Sequence, residues 1–238
     1  MNVLVIDVGG HHIKILATGQ ATRRAFDSGP EMTVDAMVEG VKKSVDGWSF
    51  DVISMGYPGP VLRGRPVSDP KNLAPGWVGF DYEKAFGCPV KIVNDAAMQA
   101  LGSYLCGRML FLGLGTGLGS AMIVDGVVEP MELAHLPYLK ATFEDYVGER
   151  GLKRLGKKRW RKRVADVVET LAAALQPTDI VIGGGNVKKL KELPPGCRAG
   201  DNQNAFTGGF RLWEENGPIQ ISTQPTHATG VATAGKSS

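Results

Sequence analysis

Cysteine is scarce. The 238 residues contain three, Cys88, Cys106 and Cys197, odd in number and far apart. That usage excludes a disulfide framework and a C-x-x-C metal knuckle, and it predicts a reducing, cytoplasmic setting. Long apolar runs are also missing, and no stretch approaches the roughly 20 residues that a membrane helix needs. The first residues enter a short apolar strand with no basic segment ahead of it, so neither secretion nor membrane insertion is expected. No large excess of either charge is present, the formal net charge being +3. Total charge therefore calls for no polyanionic partner, and the distribution of charge along the chain carries the information. The 43% hydrophobic composition suffices for a soluble globular chain of one large domain or two small ones.

Glycine is abundant, with 32 residues, and much of it is organised. Three glycine-rich turns each follow an apolar run: Val3 to Ile6 into Asp7-Val8-Gly9-Gly10, Met109 to Leu112 into Gly113 to Gly119, and Ile180 to Ile182 into Gly183-Gly184-Gly185-Asn186. Glycine lets a backbone approach an anion closely and aim consecutive N–H groups at it. Each turn alone has a plainer reading as a hairpin or a strand-to-helix connection. Their order, with Val93-Asn94-Asp95 between the first two, points to a cleft that grips a phosphate chain. Asp7 ends a strand of buried character, where a carboxylate needs a positive partner such as Mg²⁺, directly or through water. Lys14 is placed to offset phosphate charge.

Strands and helices alternate, which favours a mixed α/β fold. Val3 to Val8 and His12 to Ala17 read as a hairpin, Val34 to Val45 as a helix, Val52 to Gly56 as a strand, Tyr82 to Phe86 as a short helix and Asp95 to Tyr104 as another. Between Pro58 and Gly76 lies a long irregular stretch of the kind that often carries function. The strand, glycine turn, strand pattern restarts at Met109 to Leu114 and Ser120 to Val124, with Asp125-Gly126 as a turn. This echo divides the chain into domains 1–107 and 108–238. Asn204 to Trp213 reads as a helix returning to the first domain, and Ile219 to Ser238 is assigned no function.

The motifs Asp7-Val-Gly-Gly-x-x-x-Lys14, Gly56-x-Pro-Gly-Pro-Val61, Asn94-Asp95, Gly115-Thr-Gly-x-Gly119, Glu132-Leu-Ala-His135 and Gly183-Gly-Gly together resemble the ROK sugar kinases of the actin-like ATPase superfamily, in particular polyphosphate glucokinases. The resemblance covers about residues 1 to 190. It implies two ribonuclease-H-like domains flanking a cleft, sugar 6-phosphorylation from polyphosphate or ATP with Mg²⁺, and a homodimer. It also implies that Asp95 is the general base for a sugar hydroxyl, a poor nucleophile that benefits from losing its proton as the phosphorus bond forms. Asp is equally a favoured N-cap, and both roles can hold at once. Asn94 would bond a neighbouring sugar hydroxyl. Gly9, Gly10, Gly115, Thr116 and Gly117 would steady the donor, and Gly183, Gly184 and Gly185 would form the adenosine-side turn.

Glu132 and His135 stand three apart and face the same way on a helical turn. The resemblance makes them sugar ligands, against a structural histidine as the alternative, with Glu144 a further sugar ligand or else an exposed helix acid. Asn72, in the long loop, is a candidate contact over the sugar. Many ROK proteins carry a Cys-rich zinc loop just after the histidine. Here 136–148 contains no cysteine, so no zinc is expected.

The densest charge run spans 153–163, including Lys157, Lys158, Arg159, Arg161, Lys162 and Arg163. It reads as a solvated helix start or as a cationic track for linear polyphosphate, with nucleic acid ranked below both because Trp160 alone is thin support for base stacking. His11-His12 departs from the small Ser or Thr usual in the family after the paired glycines, which leaves the donor open between ATP and polyphosphate. Two further readings are a non-catalytic sugar or phosphate binder and an ATP-only hexokinase acting on another hexose. A sugar-sensing repressor would need a helix-turn-helix segment ahead of the first strand, for which Val3 leaves no room.

Overall fold

A computed structural model describes residues 1–201, 203–214 and 220–221. In chain order the first half comprises β1 (Val3–Val8), β2 (His12–Ala17), β3 (Arg24–Asp27), α1 (Val34–Ser44), β4 (Val52–Tyr57), a small hairpin of β5 (Val61–Leu62) and β6 (Arg65–Pro66), α2 (Tyr82–Phe86), β7 (Val90–Asn94) and α3 (Asp95–Ser103). The second comprises β8 (Arg108–Leu114), β9 (Leu118–Val124), β10 (Val127–Met131), a 3-10 turn (Leu133–His135), a hairpin of β11 (Pro137–Tyr138) and β12 (Ala141–Thr142), α4 (Phe143–Val147), α5 (Glu149–Leu175), β13 (Asp179–Gly183), a second 3-10 turn (Val187–Lys189), β14 (Cys197–Ala199), α6 (Asn204–Arg211) and β15 (Gln220–Ile221). Apart from the backbone of 220–221, the stretch Ile219 to Ser238 lies outside the described residues.

The expected mixed α/β fold is present, as two sheets of matching order. The first runs β3-β2-β1-β4-β7 and the second β10-β9-β8-β13-β14, with β15 added beside β10. In each, three strands linked in antiparallel fashion are followed by two parallel ones. Strand alternation sorts the side chains to opposite faces. Leu4, Ile6, Ile53 and Met55 pack against α1, whose Val34, Met37, Val38 and Val41 form one apolar face. Leu110, Leu112, Ile180 and Ile182 pack against Val164, Val167, Val168 and Leu171 of α5.

The facing sides of the two sheets share one core around α3 and α6. Val3, Val5 and Val93 from the first sheet meet Met109, Phe111, Ala121 and Val181 from the second through Ala97, Met98, Leu101, Ala205 and Phe206. The two helices touch backbone to backbone: a Cβ on Gly102 would overlap the Asn204 carbonyl, and one on Gly208 the Met98 carbonyl. Helix α6 reaches the first sheet, where Ser54 Oγ donates to the Gly209 carbonyl at 2.6 Å and Lys91 Nζ to that of Leu212 at 2.7 Å.

Candidate active site

Asp7 and Lys14 are register partners across the β1–β2 hairpin, so their side chains leave the same face of the sheet. Lys14 Nζ lies 2.9 Å from Asp7 Oδ2. The positive partner that the buried-strand carboxylate requires is therefore this lysine, and Asp7 is 8% exposed. Its Oδ1 accepts no hydrogen bond among the described residues, so that oxygen would be the one able to hold a cation, directly or through water. Gly9 N donates to the His12 carbonyl at 3.1 Å to close the hairpin. A Cβ on Gly10 would lie 3.3 Å from Asn72 Cβ, so the long loop rests on the first glycine turn. That loop is ordered by Asp69, whose Oδ1 accepts from the N–H groups of Gly76, Trp77 and Val78.

Strand β7 delivers the Asn94-Asp95 pair to the start of α3. Asn94 is the N-cap: its Oδ1 accepts from Ala96 N at 2.9 Å and Ala97 N at 3.2 Å, and its Nδ2 donates to the Gly59 carbonyl at 3.0 Å. The capping alternative weighed for Asp95 thus falls on its neighbour, and Asn94 keeps one N–H for a ligand. Asp95 Oδ1 accepts from Ala96 N at 2.8 Å. Burial, and after it the charges of Asp7 and Glu132, push the Asp95 carboxyl up to about 7. A carboxyl poised there exchanges a proton near neutral pH, the behaviour wanted of a general base.

The second glycine turn packs on the same helix start, since a Cβ on Gly119 would lie 2.8 Å from that of Ala96. Gly115 N donates to the Gly117 carbonyl at 3.2 Å. The third turn folds onto the second: Asn186 Nδ2 donates to the Gly115 carbonyl at 2.9 Å and Asn186 N to that of Leu114 at 2.9 Å. Gly184 takes φ +86° against the Leu114 carbonyl, a conformation and a fit that a side chain would oppose. Gly183 is buried and Gly185 exposed.

Glu132, His135 and Glu144 form a cluster. His135 Nε2 lies 3.9 Å from Glu132 Oε2, and its Nδ1 lies 3.8 Å from Glu144 Oε1. Glu144 Oε2 abuts Gly117, 2.5 Å from where a Cβ would sit. Glu144 is mostly covered, at 20% side-chain exposure, whereas Glu132 and His135 are half open. Helix α4 is set by a capping box in which Thr142 and Asp145 bond reciprocally. The structure therefore joins Asp7, Asp95, Glu132, His135, Glu144 and all three glycine turns in one region. Among the described residues no group of three or more His, Cys, Asp or Glu side chains is arranged to hold a metal ion.

The basic run divides. Trp160 is fully buried and its Nε1 donates to the Val147 carbonyl at 2.8 Å, which removes it from any stacking role. Arg161 Nε donates to the Lys189 carbonyl at 2.8 Å, and Arg163 pairs with Asp166 at 3.0 Å. Both serve packing. Lys157, Lys158, Arg159 and Lys162 are exposed, with no ion pair among the described residues. Gly156, at φ 71° and ψ 160°, breaks α5 just before them.

Sequence reasoning missed several supporting groups. Ser120 Oγ donates to the Met131 carbonyl at 2.7 Å and accepts from Leu133 N at 3.2 Å, bracketing Glu132. Arg150 Nη2 lies 3.1 Å from Asp145 Oδ1 and 3.8 Å from Glu144 Oε1. Asn186 locks two glycine turns together. The serine and the arginine had no local pattern to mark them; Asn186 stood directly after the three glycines and was the one residue a signal reached.

The sequence profile of the ROK family matches residues 3–129. A polyphosphate glucokinase of Mycobacterium tuberculosis (strain CDC 1551 / Oshkosh) is 29% identical over 216 residues, covering 80% of each protein. Among solved structures, an inorganic polyphosphate/ATP-glucomannokinase from Arthrobacter sp. strain KM superposes with a TM-score of 0.74 at 22% identity, covering 87% of this chain and 96% of that one. A ROK family glucokinase from Streptomyces griseus, in complex with glucose and AMPPNP, gives 0.71 at 15% identity, covering 89% and 99%. At these identities the structural likenesses show the fold.

Proposed function

The chain belongs to the ROK family, and from that premise we propose that it is a sugar kinase transferring a terminal phosphoryl group from polyphosphate or ATP to the 6-hydroxyl of glucose. The observation that carries this reading is the Asp95 carboxyl, held at about 7 where the glycine turns and the Glu132, His135 and Glu144 cluster converge. The similarity to a polyphosphate glucokinase supports glucose as the sugar and leaves the donor open between polyphosphate and ATP.

In this mechanism Glu132, His135 and Glu144 hold sugar hydroxyls, and the free N–H of Asn94 adds a donor to a neighbouring one. Asp95 accepts the proton of the 6-hydroxyl as its oxygen attacks the terminal phosphorus, and the rest of the donor leaves in line. The N–H groups of the first and second glycine turns and the Lys14 ammonium steady the donor's negative oxygens. Asp7 would hold Mg²⁺ through water; once bound, that ion neutralises charge on the phosphates. The two sheet-centred halves act as ribonuclease-H-like domains that close over the substrates and exclude water, which would otherwise take the phosphoryl group. The deciding experiment is a donor panel with glucose, comparing ATP, GTP and short and long polyphosphate while glucose 6-phosphate is measured. Formation of glucose 6-phosphate with none of these donors would overturn the reading.

A further inference from the structure

Glu144 stands between the sugar cluster and the second glycine turn. Its Oε2 rests against Gly117, 2.5 Å from where a Cβ would sit, and no other side chain among the described residues comes as near to that point. Its Oε1 lies 3.8 Å from His135 Nδ1 and 3.8 Å from Arg150 Nη2, both beyond hydrogen-bond reach. The backbone beneath it is fastened to the same turn. Gly148 N donates to the Glu144 carbonyl at 2.9 Å, and Glu149 N donates to that of Thr116 at 3.0 Å. A Cβ on Gly148 would lie 2.7 Å from both carbonyls, so the corner between α4 and α5 sits directly on Thr116 and Gly117. Helix and turn are held together, which leaves the Glu144 side chain as the part free to move. An anion thus abuts a turn whose N–H groups suit phosphate.

We propose that Glu144 couples the two substrates: with the sugar site empty its carboxylate repels phosphate at the second glycine turn, and a sugar hydroxyl that donates to it draws it toward His135 and relieves that repulsion. Sugar then strengthens donor binding, and by linkage the donor strengthens sugar binding by the same factor. The donor settles on the turn chiefly when an acceptor is present, which disfavours transfer to water. Glu132 provides the comparison, since it belongs to the same cluster through His135, at 3.9 Å, but does not stand against Gly117. The inference rests on the kinase reading for the roles of the two sites, and binding tests it apart from turnover.

The experiment measures equilibrium binding of tripolyphosphate and of ATP to the parent, Glu144→Gln and Glu132→Gln, with and without saturating 6-deoxyglucose, a sugar that lacks the hydroxyl able to take the phosphoryl group. In the parent the sugar is expected to tighten whichever phosphate binds by about fivefold or more. Glu144→Gln is expected to bind that phosphate as tightly without sugar as the parent does with it, and to gain little more when sugar is added. Glu132→Gln is expected to keep the enhancement once sugar saturates. A gain in affinity cannot arise from a damaged fold, and thermal melting checks both variants. No enhancement in the parent, no tightening in Glu144→Gln, or equal tightening in Glu132→Gln overturns the inference. Binding of sugar and phosphate without enhancement leaves the kinase reading standing, whereas enhancement in a protein that makes no glucose 6-phosphate from glucose overturns the kinase reading alone. A chain that fails to bind the sugar, or binds neither phosphate, overturns both.

Discussion

Asp95→Asn separates chemistry from stability. The amide oxygen still accepts from Ala96 N, as the carboxylate does at 2.8 Å, but the group takes no proton. Losing general-base action slows glucose phosphorylation by about 10² to 10⁴-fold while sugar binding persists. The same change removes a charge that its surroundings disfavour. Burial, Asp7 and Glu132 raise the carboxyl from 3.8 to about 7, so between those values the folded chain holds a proton that the unfolded chain has released. Protonated Asp95 therefore contributes stability that is fully present below about pH 4 and is lost as the pH rises through about 7. The whole shift corresponds to about 4 kcal/mol. Asp95 is half-buried and water screens part of it, so the asparagine variant is expected to exceed the parent by about 2 kcal/mol at pH 8 and by nothing below about pH 4. Urea unfolding at both pH values and glucose 6-phosphate production measure the two effects. Parent-like turnover removes Asp95 from the mechanism, and no gain in stability at pH 8 refutes the electrostatic account.

Parent kcat/KM should fall about tenfold per pH unit below about 7, because only ionised Asp95 accepts the hydroxyl proton; a flat profile down to about pH 5 would deny the raised carboxyl a part in turnover. Glu132→Gln and His135→Ala should weaken glucose affinity more than kcat, and elemental analysis should find no stoichiometric zinc; one zinc per chain, lost with His135, would reassign that histidine as a metal ligand. Neutralising Lys157, Lys158, Arg159 and Lys162 together should raise KM for long polyphosphate, with added salt acting likewise in the parent, and should touch ATP much less; unchanged long-chain kinetics would return this face to simple solvation. Gly208→Ala should cost about 1–3 kcal/mol, because its Cβ overlaps the Met98 carbonyl, and a parent-like melting temperature would show that the helices part easily.

Local pattern made much of this legible. The Gly9-Gly10 and Asp125-Gly126 turns announced their hairpins, and α1, α2, α3 and α6 begin where periodicity and capping residues place them. Strand β3 went unread because Arg24–Asp27 is a largely exposed edge, with no buried face to impose alternation. Within the site, the composition of Asp7, Lys14 and Asp95 was visible, but what each group meets was not. That Lys14 neutralises Asp7 depends on hairpin register, and that Asn94 rather than Asp95 caps α3 depends on backbone angles at one residue. The basic run looked uniform in sequence; only the neighbours of Arg161 and Arg163, Lys189 at one end and Asp166 at the other, show which charges remain available. Contacts between residues about a hundred apart, such as Gly102 with Asn204, leave no trace in any short window.

The core shared by the two sheets bears on how such a chain can be divided or assembled. Severed between Gly107 and Arg108, the first part would bare Val3, Val5, Ala97 and Leu101 to water, and the second would bare Met109, Phe111, Ala121 and Phe206. Each fragment would then carry an adhesive apolar face whose natural cover is the other fragment. The matching strand orders make those faces alike in architecture. Holding both halves in one chain turns what would be a concentration-dependent association into a permanent one.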